Sequence, residues 1–244
     1  MRAALIASLL AGLATGLGGS LIALVPTLSR RVYDTLLGFS AGVMLAAGSI
    51  TLLGPALRQN GVWTVALGLA IGALLVFHLE LAVPHLEPHF APQLTGPAKR
   101  LGLLMAAALT LHHLPEGLAV GVSFAGGAPK LGVIVAVAIA LQNIPEGLAV
   151  AMPLRAAGFS RSRAILWATC SGLGEPIAAV LGVWFVRIIG PMVPFALALA
   201  AGAMIFVASD QLIPESRQQP QAKGPSLGLI FGFLLVSVLT KMFA

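Results

Sequence analysis

The stretch Leu-His-His-Leu-Pro-Glu-Gly-Leu-Ala-Val at residues 111–120 recurs thirty positions later as Leu-Gln-Asn-Ile-Pro-Glu-Gly-Leu-Ala-Val at residues 141–150. Seven of the ten positions are identical. Each copy lies within an apolar segment of about 20 residues, the length that an α-helix needs to cross a bilayer. A glutamate near the middle of such a helix is costly in lipid, and it therefore indicates a functional site.

The composition is that of an integral membrane protein. Of the 244 residues, 58% are hydrophobic and 9% are charged, and the mean hydropathy is +0.99. A soluble domain carries roughly 25% charged residues. The net charge of +6 comes from a few basic residues near helix ends, where they set orientation, so it does not indicate nucleic-acid binding.

Eight apolar segments predict an all-α membrane protein with eight transmembrane helices in one membrane domain, because only helical hydrogen bonding satisfies such a backbone in lipid. The segments are residues 3–25, 34–54, 61–83, 100–124, 131–153, 162–186, 192–213 and 226–243. Loops after helices 1, 3, 5 and 7 hold nine of the fourteen basic residues. This bias predicts that those loops are cytoplasmic and that both termini are extracytoplasmic.

Weaker repeats relate the first three helices to the last three. Residues 41–44 and 201–204 share Ala-Gly and Met at an offset of 160, and Gly-Leu-Gly occurs at 16–18 and 172–174, an offset of 156. The two triplets enter the membrane from opposite sides, which predicts a 3+2+3 arrangement with inverted repeats around helices 4 and 5. Many secondary transporters build their substrate site from inverted repeats with broken helices.

The polar residues near the repeated prolines predict a metal site. His112 and Glu116 share one helix face, as do Gln142 and Glu146, because they are four residues apart. Each proline lacks an N–H, so it bends its helix and frees a carbonyl oxygen. Helix 6 adds a third glutamate within Gly-Glu-Pro at 174–176. The predicted cluster is His112, His113, Glu116, Gln142, Asn143, Glu146 and Glu175.

The ligand types favour a transition metal. No lysine or arginine is predicted to be buried beside this cluster, so its glutamates must be protonated or bound to cations. Imidazole with carboxylate and amide oxygens suits Zn²⁺ and neighbouring divalent metals, whereas Ca²⁺ and Mg²⁺ prefer oxygen alone. Three carboxylates can bridge two metals. A structural hydrogen bond is the alternative role for His113 or Glu175.

These motifs resemble the ZIP (Zrt/Irt-like) family of divalent metal transporters, most closely its bacterial GufA-type branch. The resemblance covers nearly the whole chain and includes Ser-Asp-Gln-Leu-Ile-Pro-Glu at residues 209–215. It implies import of zinc, or of cadmium, iron or manganese, into the cytoplasm. It also implies a homodimer, and the pattern favours a bacterial inner membrane. Metal is expected as the substrate, without a prosthetic cofactor.

The resemblance also implies a binuclear site. Four residues match its first metal position: His112, Glu116, Gln142 and Glu146. Three more match the second position, with Glu116 and Glu146 as bridges: His113, Asn143 and Glu175. Close bacterial relatives often have Asn at position 113 and Asp at position 143. The His and Asn of this chain lower the negative charge of the second position.

The family further implies a moving bundle and a scaffold. Helices 1, 4, 5 and 6, about residues 3–25 and 100–186, would form the transport bundle. Helices 2, 3, 7 and 8, about residues 34–83 and 192–243, would form the scaffold. Inverted repeats fit the alternating access that such a division allows. A symmetric ligand set leaves the direction of net flow open.

Two other functions use the same ligands. A metal-selective channel needs a similar site but no alternating access. An intramembrane metal-dependent hydrolase could activate water at the metal. The chain lacks the His-Glu-x-x-His motif, so it is predicted not to be an enzyme.

Further acidic and imidazole groups lie near the predicted cytoplasmic ends of helices 3 and 7. They suggest either a metal release path or low-affinity sensor, or a short solvated loop without a role in transport. The residues are His78, Glu80, His85, Glu87, His89 and Asp210.

Overall fold

The computed structural model describes residues 1–24, 28–59, 61–90, 97–126, 129–219 and 221–243. Side chains are not described at 82–90, 97–106, 108, 109 and 191. The described chain forms eight long helices: α1 Arg2–Ala23, α2 Arg30–Gln59, α3 Val62–Phe90, α4 Pro97–Ala125, α5 Pro129–Ala156, α6 Arg161–Ile189, α7 Val193–Ser216 and α8 Gly224–Phe243. Among the described residues, all except α4 contain a stretch long and apolar enough to cross a membrane. The prediction of an all-α membrane protein is confirmed.

Three helices contain interruptions that the span prediction missed. α2 has a π-helical segment at Ala47–Leu53, and α7 has one at Ala208–Leu212. α6 breaks at Leu173, so that Glu175 lies in the first turn of its second half, Gly174–Ile189. Pro176 belongs to that same first turn, where a missing N–H loses no helical hydrogen bond. The break therefore presents the Glu175 carboxylate at a helix N-terminus inside the bundle.

The end of α3 differs from the prediction. The sequence placed the end of this helix near residue 83 and treated the following stretch, up to residue 89, as a short loop. The structure continues the helix to Phe90. The prolines at 84 and 88 suggested an earlier end, because proline disfavours helix interiors. Each proline removes only one backbone donor, and the remaining hydrogen bonds continue the helix.

Close glycine contacts show that the repeat organises the fold. Gly42 of α2 lies against the Leu229 carbonyl of α8, and Gly202 of α7 lies against the Leu69 carbonyl of α3. A Cβ added to either glycine would be 2.0 Å from that oxygen. Gly42 and Gly202 are 160 positions apart, and so are Leu69 and Leu229. Two further sets follow the same rule: Gly228–Thr35 with Gly68–Phe195, and Gly232–Phe39 with Gly72–Leu199.

The same relation extends to the inner helices. Gly147 of α5 contacts the Thr15 carbonyl of α1, and Gly117 of α4 contacts the Glu175 carbonyl of α6. Positions 117 and 147 differ by 30, whereas positions 15 and 175 differ by 160. The contacts therefore support an offset of 160 for all three outer pairs, in place of the offset of 156 suggested by the Gly-Leu-Gly motif. In this alignment, Thr15 is the counterpart of Glu175.

Candidate metal centre

All seven predicted ligands lie in the interior of the bundle. α4 contributes three of them, α5 another three and the second half of α6 contributes one. Each is at most 1% exposed to solvent. Burial of so many polar side chains is costly unless they are hydrogen-bonded or bound to ions. The polar atoms of the cluster therefore need hydrogen-bond partners or bound ions. Some of them are hydrogen-bonded within the protein, and others are not.

Three of these residues are already close enough to share an ion. His113, Glu116 and Glu146 each offer a ligand atom, and these atoms lie within 4.8 Å of one another. Two ligands of one Zn²⁺ are at most about 4 Å apart, because each bond is about 2.1 Å long. A small rotation of the side chains would bring all three onto one ion. The group joins α4 to α5 through both glutamates of the repeated motif.

The two amide side chains cross-link the cluster. Gln142 Nε2 donates to Glu116 Oε1 at 2.6 Å, joining α5 to α4. Asn143 Nδ2 donates to Glu175 Oε1 at 2.5 Å and to the Ala11 carbonyl oxygen at 2.8 Å. These bonds use the nitrogen of each amide, so the oxygen of each amide can accept a further hydrogen bond or a cation.

Seven buried atoms of the cluster have no hydrogen-bond partner. All are nitrogen or oxygen atoms of types that bind metals, and an unsatisfied buried polar group costs about 1–3 kcal/mol. A divalent cation among them would satisfy several at once. They are His112 Nδ1, Glu116 Oε2, Gln142 Oε1, Asn143 Oδ1, Glu146 Oε1, Glu146 Oε2 and Glu175 Oε2.

Two hydrogen bonds of the site are related by the pseudo-symmetry of the fold. Thr15 Oγ1 and His113 Nε2 are 3.0 Å apart, and Glu175 Oε1 is 2.5 Å from Asn143 Nδ2. Positions 113 and 143 are counterparts, as are positions 15 and 175. One half of the site therefore pairs a hydroxyl with an imidazole, and the other pairs a carboxylate with an amide. Sequence reasoning missed Thr15, although an alignment at an offset of 160 would have indicated it.

Gln211 is a second residue that the sequence analysis left without a role. Its Oε1 contacts His112 Nε2, and its Nε2 donates to Glu80 Oε1. The residue lies within the π-helical segment Ala208–Leu212, which changes the direction of side chains relative to a regular helix. A polar chain thus runs from the centre through α7 to α3.

The remaining residues of the predicted release path are placed differently. His78 is exposed, and its Nδ1 bonds to the carbonyl of Leu74 in its own helix. Asp210 is also exposed, one position before Gln211. Glu80 is joined to the buried centre through Gln211, and the Asp210 side chain lies within hydrogen-bonding reach of Glu80. Three side chains lie outside the described part: His85, Glu87 and His89.

A bundle of membrane helices related by inverted repeats, with a buried carboxylate, imidazole and amide cluster between them, defines a membrane transporter for cations. The profile described as ZIP Zinc transporter matches residues 96–240. The chain is 40% identical to Zinc transporter GufA of Myxococcus xanthus over 249 residues, 98% of each chain. It is 42% identical to Zinc transporter ZIPB of Bordetella bronchiseptica over 242 residues, 94% of this chain and 78% of the relative.

A vertebrate relative is also similar over most of this chain. Zinc transporter ZIP11 of Homo sapiens is 33% identical over 313 residues, 91% of this chain and 92% of the relative. The chain belongs to the ZIP zinc transporter family. Membership confirms the family predicted from the paired motifs. It also makes the protein a transporter and not an enzyme, which sets aside the hydrolase alternative.

Proposed function

We propose that this protein carries zinc ions across the membrane through the buried centre by alternating access. The observation that carries the proposal is the group of His113, Glu116 and Glu146, surrounded by buried atoms without hydrogen-bond partners. Mixed nitrogen and oxygen ligands suit Zn²⁺. The relatives are named as zinc transporters, which also supports zinc as the cargo. Cadmium, iron and manganese are further substrates that similar ligands accept.

The centre has two metal positions, and they differ in how closely their ligand atoms are already arranged. The second position is assigned His113, Asn143 and Glu175 with the bridging glutamates. It is supported by the ligand atoms of His113, Glu116 and Glu146, which lie within 4.8 Å of one another. The first position uses His112 and Gln142, together with the bridging glutamates. Its imidazole Nε2 is engaged by Gln211, so a metal there binds Nδ1 or displaces the glutamine. Breaking and re-forming the His112–Gln211 contact is therefore part of filling and emptying the first position.

The helices fall into two groups that would move relative to each other during transport. The closest glycine contacts fall within α1, α4, α5 and α6, or within α2, α3, α7 and α8. The groups meet chiefly where α5 packs on α2 and α4 packs on α7. Ser40 Oγ donates across this boundary to the Gln142 carbonyl oxygen at 3.0 Å. This arrangement supports a transport bundle that moves against a scaffold, and any such movement must break the Ser40 bond.

Metal leaves toward the cytoplasm along His112, Gln211 and Glu80, which form a continuous polar chain. His78 and Asp210, with His85, Glu87 and His89, supply weak ligands beyond it. The chain resides in a bacterial inner membrane as a homodimer, with both termini extracytoplasmic. The excess of basic residues in alternate loops supports this orientation.

The decisive experiment is zinc uptake into proteoliposomes. The double variant Glu116→Gln/Glu146→Gln removes both bridging charges. It should reduce saturable uptake at least about 100-fold, because a neutral amide cannot replace the deprotonated carboxylate that binds the metal. Glu215→Gln is the matched control, since Glu215 pairs with Arg30 outside the centre, and it should retain uptake. Zinc inside the vesicles should accelerate the exchange of labelled zinc, as expected for a carrier and not for a channel. Normal uptake by the double variant would contradict the proposal.

A further inference from the structure

A basic cavity lies at the end of the bundle where the connection from α7 to α8 meets the first turn of α2. Its volume is about 770 Å³. Arg31 and Lys223 line it, together with three glutamines and the first residues of α8. The cavity is distinct from the metal centre, because none of the seven ligands borders it. It is wide enough to admit a phosphate group with water.

The acidic side chains around this cavity neutralise its cations only in part. Arg31 and Lys223 are both exposed. Asp34 and Glu215 are the nearby acidic groups, and Arg30 binds both, at 2.7 and 3.1 Å. Arg30 balances one of these two negative charges, and Arg31 with Lys223 exceeds the remaining one by a single positive charge. The cavity therefore has a net positive charge that an anion would balance.

The geometry of the donors suits a phosphate group in particular. An arginine guanidinium presents a planar fork of N–H groups to phosphate oxygens, and a lysine adds a mobile point charge. Gln219 and Gln221 provide further amide donors at the wall. The 20-residue helix α8 begins at Gly224, so the positive end of its dipole adds to the same field.

The helix α8, whose first residues line the cavity, also carries an exposed apolar stripe. The stripe consists of Leu227, Ile230, Phe231 and Leu234, each more than half exposed. Their spacing places them on one helix face. A cationic cavity at the start of a helix that carries an exposed apolar stripe matches a phospholipid, whose charged headgroup lies at the interface and whose acyl chains lie below it.

We propose that this cavity binds the phosphate group of an anionic phospholipid, with the acyl chains along the stripe of α8. A bound headgroup would link Arg31 of α2 to Lys223, the residue before α8. These two helices already pack closely through Gly228 and Gly232. The lipid therefore stabilises one of the two repeated helix pairs. Free phosphate shares the headgroup chemistry but lacks the contact with the stripe.

The test uses the purified full-length chain in neutral detergent. Native mass spectrometry measures retained lipid, and thermal unfolding measures stabilisation, each with phosphatidylglycerol, phosphatidylcholine or inorganic phosphate. The variant Arg31→Gln/Lys223→Gln removes both cations of the cavity. Arg187→Gln/Lys241→Gln is the control, because it makes the same charge change at the last turns of α6 and α8.

Phosphatidylglycerol should be retained by the wild type and the control, and about 30-fold less by the cavity variant, since each interfacial cation strengthens binding about fivefold and the two effects multiply. Phosphatidylcholine and inorganic phosphate should stabilise the wild type less than phosphatidylglycerol. Equal retention by the cavity variant and the control would overturn the proposal. Equal stabilisation by inorganic phosphate would also overturn it, because the site would then be one for a free anion.

Discussion

Replacing Gly147 with alanine should weaken zinc binding by forcing α1 away from α5. A Cβ at this position would be 1.9 Å from the Thr15 carbonyl oxygen and 2.8 Å from the Gly19 nitrogen. Ordinary contact begins at 3.4 Å, so α1 must move about 1.5 Å, the difference between 3.4 and 1.9 Å. Both obstacles are backbone atoms in a closely packed pair of helices, so no side-chain rotation relieves them.

This displacement would disrupt the hydrogen bonds that orient two of the proposed ligands. Asn143 Nδ2 donates to Ala11 of α1 at 2.8 Å, and His113 Nε2 is 3.0 Å from Thr15 of α1. A movement of about 1.5 Å takes both beyond hydrogen-bonding range. Losing partners that orient metal ligands typically costs 10–100-fold in affinity. The Kd for zinc should therefore rise by about that factor.

Isothermal titration of zinc into the purified protein measures this change. Gly54→Ala in α2 is the control, because a Cβ there would meet nothing closer than 3.7 Å. The counterpart Gly117→Ala demands a smaller movement, since its Cβ would be 2.2 Å from the Glu175 carbonyl oxygen, and its effect should be smaller. Thermal unfolding verifies that each variant folds. A folded Gly147→Ala protein that binds zinc within twofold of the wild type would refute the reasoning.

Three further predictions concern the same centre. Thr15→Val should raise the Kd for zinc about 2- to 10-fold, because one hydrogen bond worth about 0.5–1.5 kcal/mol holds His113; Thr15→Ser should restore binding, and equal titrations of both variants would exclude a role for the hydroxyl. Asn143→Asp should shift competitive uptake toward Mn²⁺, since an added carboxylate suits harder ions; an unchanged Zn²⁺ to Mn²⁺ ratio would show that Asn143 is not a ligand. Zinc uptake should fall as external pH decreases from about 7 to about 5, because protons compete for the ligands, and a flat profile would contradict binding to ionised carboxylates.

The sequence by itself determined the class, the helices and the polar residues that the structure buries together. Apolar length predicted all eight helices, because a backbone in lipid must satisfy its hydrogen bonds within its own segment. The copies at 111–120 and 141–150 identified the two inner helices, since buried glutamates and prolines at one spacing are costly unless they have a function. The offset of 160 between residues 41–44 and 201–204 indicated the repeat. These are local patterns, and each is visible within one segment or in the comparison of two.

Only the tertiary structure decided how the centre is completed. Thr15 meets His113 across 98 positions, and Gln211 meets His112 and Glu80 across 99 and 131. No periodicity of a single helix encodes such contacts, because they depend on how neighbouring helices are rotated and how closely they approach. The rotation depends on π-helical segments in α2 and α7 and on the break in α6. The approach depends on glycines that let backbones touch, and this combination of packing and local distortion selects the side chains that reach the metal centre.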